Sequence, residues 1–264
     1  MSSKKELRTV NVTRYITPLR EGGSLPAIAE ADDGFMYVLK FRGAGQGVKS
    51  LIADLIGGEI ARALGFRVPE IVFAELDSAF GRTEPDEEIQ ELLRKSEGLN
   101  LGLHYLSGAI TFDPAVNTID ALTASQIVWM DALLMNVDRT VRNTNMLSWN
   151  KGLWLIDHGA SLYFHHGGGN WEEQALKPFV QIKDHVLLRQ AAELSIVDPA
   201  CRFVINAERI HEIVSLVPLE WMEDNAFNVS PKEMRNIYAR FLITRMESSS
   251  IFVQAAQHAR DLSI

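Results

Sequence analysis

The sequence predicts an α+β chain of two lobes: a small β-rich N-lobe over residues 1–77 with one key helix, and a mostly helical C-lobe over 78–264. Three observations lead there. Short apolar runs separated by turn dipeptides fill the opening segment. Apolar residues at helical spacing dominate the later part. Between them, residues 135–159 hold a short hairpin with a polar loop before it and an acid after it.

Residues 8–17 alternate around Val10, Val12, Tyr15 and Ile16 and read as a strand. Gly22-Gly23-Ser24 follows as a glycine-rich turn. Its backbone N–H groups can approach a phosphate closely, because glycine has no side chain. Ala27–Ala31 is a second strand, Asp33-Gly34 a hairpin turn, and Phe35–Phe41 a third strand holding Lys40 near its end. A plain meander with a solvated lysine would read the same way, so a function for Lys40 depends on a partner. Residues 43–50, Gly-Ala-Gly-Gln-Gly-Val-Lys-Ser, match neither the dinucleotide fingerprint nor the P-loop and read as a connection into a helix.

That helix spans about Lys49–Leu64 and ends at Gly65. Glu59 lies three residues after Ile56, within its apolar stripe. A carboxylate there is costly unless paired. The expected partner is Lys40, with a helix edge reaching water as the alternative.

Glu70–Leu76 reads as a strand, and the lobe boundary is placed near Asp77. An acidic run over 83–97 has helical spacing, and Leu99–Leu106 reads as a strand. Thr118–Asn136 is a long helix leading into the polar loop. Further helices are expected over about 182–194, 207–216, 231–247 and 251–262. His165-His166 before three glycines reads as a mobile loop, with metal binding as the alternative. Trp171 and Trp221 are expected to pack the helical lobe.

Composition weighs against some classes. Hydrophobic residues make up 47% and charged residues 23%, as in ordinary globular chains. The net charge of −8 disfavours a protein that coats nucleic acid or anionic membrane. The single cysteine, Cys201, forms no internal disulfide and reads as a small buried hydrophobe. The N-terminus lacks an apolar signal core and no stretch reaches the length of a membrane span. The expectation is a cytoplasmic protein with no direct contact to nucleic acid or membrane.

The central stretch carries the chemistry. Asp138 heads a polar loop with Asn143 and Asn145; strands Met146–Trp149 and Leu153–Ile156 follow, joined by Asn150-Lys151-Gly152; Asp157-His158-Gly159 ends the second. Phosphoryl transfer needs such a set: a base for the attacking hydroxyl, and an amide and an acid to hold magnesium on nucleotide phosphates.

With Lys40, Glu59, Asp138, Asn143, Asn145 and Asp157 in this order, the chain resembles the HipA-like kinases, relatives of protein kinases and phosphatidylinositol kinases. The carrying segments are Tyr-Val-Leu-Lys-Phe (37–41), Gly-Gly-Glu-Ile-Ala-Arg-Ala-Leu-Gly (57–65), Asn-Val-Asp-Arg-Thr-Val-Arg-Asn-Thr-Asn (136–145) and Leu-Ile-Asp-His-Gly (155–159). The resemblance implies a two-lobed protein-kinase-like fold that moves the γ-phosphate of ATP to a hydroxyl, most simply of a protein serine or threonine. Lipid or small-molecule kinases, and a nucleotide-binding pseudokinase, are the alternatives. It further implies that Lys40 holds phosphates, Glu59 orients Lys40, Asp138 is the base and Asp157 binds magnesium. An antitoxin-like protein partner is possible within such a family. The chain departs from ordinary protein kinases at Asn136, where histidine is usual, at His158, where phenylalanine is usual, and in lacking an Ala-Pro-Glu element.

Two arguments compete for the metal-binding asparagine. Kinase loops place it five residues after the catalytic acid, which selects Asn143. A three-residue hairpin loop with a left-handed Gly152 would instead set Asn145 opposite Asp157, with Cβ atoms about 4.5–5.5 Å apart. Asn145 is therefore the expected ligand and Asn143 the alternative.

Overall fold

The computed structural model describes residues 6–19, 25–78, 80 and 85–263. Five strands form a closed barrel in the order β1 (Thr9–Pro18), β2 (Ala27–Ala31), β3 (Met36–Lys40), β5 (Gly98–His104), β4 (Ile71–Leu76). Parallel pairing of β1 with β4 closes it. Alternate residues point inward, among them Val10, Val12, Ala27, Ala29, Ala31, Tyr37, Leu39, Val72 and Ala74. Small side chains suit an interior this narrow. The N-terminal sheet thus runs past Asp77 to His104, because β5 inserts between β3 and β4. A boundary at Asp77 would cut the barrel.

Between β3 and β4 runs α1 (Val48–Ala63), buried continuously from Leu51 to Ala61. It packs against β5 on one side and the helical part on the other. After α2 (Glu87–Lys95), β5 and β6 (Ile110–Thr111) comes α3 (Ala121–Leu134). Asp120 caps α3 by accepting from the Thr123 N–H at 2.9 Å. From Ala124 onward almost every side chain of α3 is buried, so the helix is enclosed on all faces and forms the axis of the core. The remaining helices are α4 (Phe164–Gly167), α5 (Trp171–Ala175), α6 (Leu194–Val204), α7 (Ala207–Ser215), α8 (Pro231–Glu247) and α9 (Ser249–Asp261). Of these, α6, α8 and α9 pack on α3. The architecture is the α+β, two-lobed kinase-like fold expected. Among the described residues no helix is long and apolar enough to cross a membrane.

The helix expected over 182–194 does not form. Two 3-10 turns, Val180–Asp184 and Leu188–Gln190, flank an extended His185, whose side chain is committed to a buried partner described below. The next helix, α6, was hidden in the sequence by its internal Pro199. The expected mobile histidine loop is ordered structure: His165 is buried on α4, and its Nδ1 lies 2.8 Å from the Tyr238 hydroxyl. Trp171, Trp221 and Cys201 are buried as expected.

The hairpin β7 (Met146–Trp149) to β8 (Gly152–Leu155) turns over two residues, not three: Trp149 pairs with Gly152. Asn150 and Lys151 both have positive φ, 47° and 57°, as a type I′ turn requires. Gly152 serves space instead of conformation, since a Cβ there would overlap the Arg67 guanidinium. Lys151 therefore carries the conformational cost glycine would avoid. Replacing Lys151→Gly is expected to raise stability by up to about 1 kcal/mol. Urea unfolding of the variant beside wild type checks this; a loss of stability would contradict it.

Candidate active site

The barrel and the helical part enclose a cleft of about 1810 Å³. Lys40, Asp138, Asn143, Asn145 and Asp157 all line it. The turn containing Gly22, Gly23 and Ser24 lies outside the described residues. Its flanks, Leu19 and Pro26, line the cleft and are joined by a 2.7 Å backbone hydrogen bond.

Lys40 ends β3 and points inward, where its ammonium sits 2.6 Å from both Asp54 Oδ2 and Asp157 Oδ1. The expected pairing with Glu59 is thereby corrected. Five residues separate Asp54 from Glu59, which turns them roughly 140° apart on the helix. Glu59 is buried elsewhere, with Oε1 3.6 Å from the Arg62 Nε. The apolar stripe misled because α1 is buried on every side, so a stripe does not single out one acid. The missed signal is the glycine pair Gly57-Gly58 beside Asp54. A Cβ on Gly57 would overlap the His158 Cβ, so the glycine lets the Asp157 segment lie against α1. One turn before it, Asp54 accepts the His158 N–H at 2.7 Å. Burial alone would lower the Lys40 pKa, but the charges of Asp157 and Asp54 outweigh it and hold it above its usual value. Burial likewise opposes ionisation of Asp54, and Lys40 with the His158 hydrogen bond overcomes it, holding the carboxyl well below the usual range.

Asp138 follows the left-handed Met135, φ 56°, that ends α3. Its Oδ2 accepts from Asn143 Nδ2 at 2.7 Å and Asn145 Nδ2 at 3.3 Å. Burial pushes its pKa up, the asparagine hydrogen bonds oppose this, and the Asp157 charge adds to it. The two-residue turn shifts the hairpin register by one. Asn145 faces Ile156, whose N–H donates to the Asn145 carbonyl at 3.1 Å, so the register argument that set Asn145 opposite Asp157 falls. Asn145 and Asp157 both leave the strands with positive φ, 48° and 52°. Both asparagines lie at the site, each with its amide nitrogen turned to Asp138.

A buried layer supports this loop. Asp131 Oδ1 accepts from Asn136 Nδ2 at 3.0 Å, and Asn136 Oδ1 accepts the Asp138 N–H at 3.1 Å. Asp131 Oδ2 accepts from Arg139 Nε at 2.6 Å and meets His185 Nε2 at 2.9 Å. The Leu187 N–H donates to His185 Nδ1, which leaves the ring proton on Nε2. Burial lowers the His185 pKa, against the pull of Asp131, so the ring is a neutral donor. Burial opposes the Asp131 charge too, yet Arg139 and His185 hold its pKa well below the usual range. Asn136, one of the departures from the protein-kinase pattern, thus links Asp131 to the Asp138 N–H in this fold.

The HipA-like kinase family model matches residues 12–253. The crystal structure of a Helicobacter pylori proinflammatory kinase, CtkA, is similar in fold, with a TM-score of 0.55 at 14% identity, covering 98% of this chain and 99% of that one. A Golgi casein kinase solved with Mn and ADP bound matches at a TM-score of 0.48 and 12% identity, over 98% of this chain and 75% of that one. None of the curated proteins matches the chain at a significant level.

Two outcomes test the geometry. Gly57→Ala should destabilise the protein by about 1–3 kcal/mol through the clash with His158. Gly58→Ala should be milder, because its Cβ would meet only the tip of Ile71, 2.6 Å away. Equal effects in urea unfolding would show that Gly57 is not a contact point. In double-mutant cycles on stability, Lys40→Ala and Asp54→Ala should couple by about 0.5–3 kcal/mol, whereas Lys40→Ala and Glu59→Gln should add within about 0.5. The reverse ranking would restore Glu59 as the partner.

Proposed function

Because the chain belongs to the HipA-like kinase family, we propose that it transfers the γ-phosphate of ATP to a protein serine or threonine with a divalent cation, most simply magnesium. The observation that carries this reading is the meeting of Lys40, Asp157 and Asp138 in one cleft, from a barrel strand, a post-hairpin turn and a helix end. Apolar side chains of Val38, Leu103, Leu106, Met146 and Ile156 line the cleft and suit the flat faces of a purine. The cleft exceeds the roughly 300–1,000 Å³ of common ligand pockets, leaving room for an acceptor segment beside Asp138.

The donor set fits a hard cation. Asp157 supplies carboxylate oxygen, and the Asn143 and Asn145 amide nitrogens already face Asp138, which leaves their oxygens for an ion. Asn143 gains weight as the ligand once the register argument for Asn145 is gone, because its spacing five residues after Asp138 remains. A bound divalent cation would neutralise charge on the transferring phosphate. Lys40, held by buried Asp54, would bind phosphate oxygens. Asp138, its pKa raised by burial, would accept the proton of the acceptor hydroxyl.

Asp138→Asn should lower turnover by about 10²–10⁴-fold while ATP still binds. Incubation of the pure protein with γ-labelled ATP and magnesium, with and without cell lysate, measures this and identifies the labelled acceptor. Labelling of lipid or small metabolites alone would redirect the acceptor class, and unchanged turnover would remove Asp138 from the mechanism.

A further inference from the structure

One carbonyl joins the two halves of the site. The Asn145 C=O accepts the Ile156 N–H at 3.1 Å, next to Asp157, and also accepts Arg139 Nη1, next to Asp138. Its position thus fixes the separation between the loop and the acid after the hairpin. Asn145 holds this carbonyl in a left-handed backbone conformation, φ 48°, which needs outside support to persist. Arg139 is 1% exposed, and its Nε donates to Asp131, which is fully buried on α3. Asp131 is met in turn by the neutral His185 and reaches Asp138 through Asn136. The His185 segment is fastened to the same loop: the Val186 N–H donates to the Arg139 carbonyl at 3.0 Å, and Thr140 bridges His185.

We propose that Asp131, Arg139 and His185 are positioning residues that hold the Asp138 loop and Asp157 at the spacing a divalent cation requires. The inference rests on the kinase reading above. None of the three lines the cleft. They act through the Asn145 carbonyl and through Asn136. Groups behind metal ligands commonly carry a 10–100-fold effect on metal affinity when changed. A purely structural role would instead lower stability and leave the metal response untouched.

The test reads binding, not turnover. ADP affinity of the pure protein is measured by calorimetry across a magnesium titration, giving the metal concentration that half-completes the tightening of ADP. Arg139→Lys keeps a cation for Asp131 but lacks the forked Nε and Nη1 donors that serve Asp131 and the Asn145 carbonyl together. It should raise that concentration about tenfold or more while metal-free ADP affinity stays within about twofold. His185→Gln preserves a neutral donor to Asp131 and should stay near wild type; His185→Ala should move in the direction of Arg139→Lys. Should Arg139→Lys fail to fold by circular dichroism, the His185→Gln and His185→Ala pair carries the comparison. A wild-type magnesium response in Arg139→Lys, or in His185→Ala where that pair is used, overturns the proposal. If wild type itself shows no magnesium-dependent ADP binding, the kinase reading fails and takes this inference with it. A normal wild-type response with unshifted variants sinks the positioning role alone.

Discussion

The Lys40 ammonium is the point on which the site depends. It draws together β3 of the barrel, α1 and the turn after β8 through two carboxylates at 2.6 Å. The two acids differ in kind. The Asp54 side chain is 1% exposed, whereas that of Asp157 is 41% exposed. A buried carboxylate is tolerable only while paired, so Asp54 stays with Lys40. Asp157 has solvent as an alternative partner. One acid is therefore a fixed anchor for Lys40, and the other is a solvent-accessible partner. This asymmetry keeps Lys40 paired to α1 whether or not Asp157 stays in contact with it.

Much of the fold was legible because its signals are local. The Asp33-Gly34 turn, the apolar runs of β2 and β3, and the proline-led start of α8 each specify structure within a few residues. What failed depends on distant contacts. Nothing near Asp77 announces that residues 98–104 will return to the barrel between β3 and β4. Gly152 looked like a turn residue because glycine usually supplies positive φ; only Arg67, far away in sequence, shows that it is needed for space. His185 lies in a helical-looking run, but a buried bond to Asp131 holds it extended.

The candidate site was legible as a set of residue types and less so as a set of pairs. Lys40, Asp138, Asn143, Asn145 and Asp157 do converge on one cleft. The partner of Lys40 was misjudged because periodicity reports which residues share a face, not which neighbour that face meets. On a helix buried all round, every face has a neighbour. The better guide is size: paired glycines mark where another backbone approaches, and an acid one turn away is then placed to bond that backbone. Asp54 meets both conditions through the His158 N–H.

The polar loop is held from below by charge more than by its own packing. Its support, α3, carries Asp131 as its one charged residue, and its last turn ends in a buried setting. There Arg245 of α8 donates to the carbonyls of Ala132 and Leu133 at 2.7 and 2.9 Å, and to those of Ala175 and Lys177 at 3.0 Å each. Ala132 and Leu133 lie in the last turn of α3, where carbonyls lack full intrahelical pairing, and a cation there also meets the negative end of the helix dipole. Arg245 thus fixes where α3 stops, and Asp131, one residue before Ala132, fixes how the chain leaves it. Between them they determine the direction in which Asn136 and Asp138 emerge. A histidine at position 136 would present a ring where the amide now bridges Asp131 and the Asp138 N–H. At that position an amide joins the buried acid to the loop, and the Asp138 carboxylate lines the cleft.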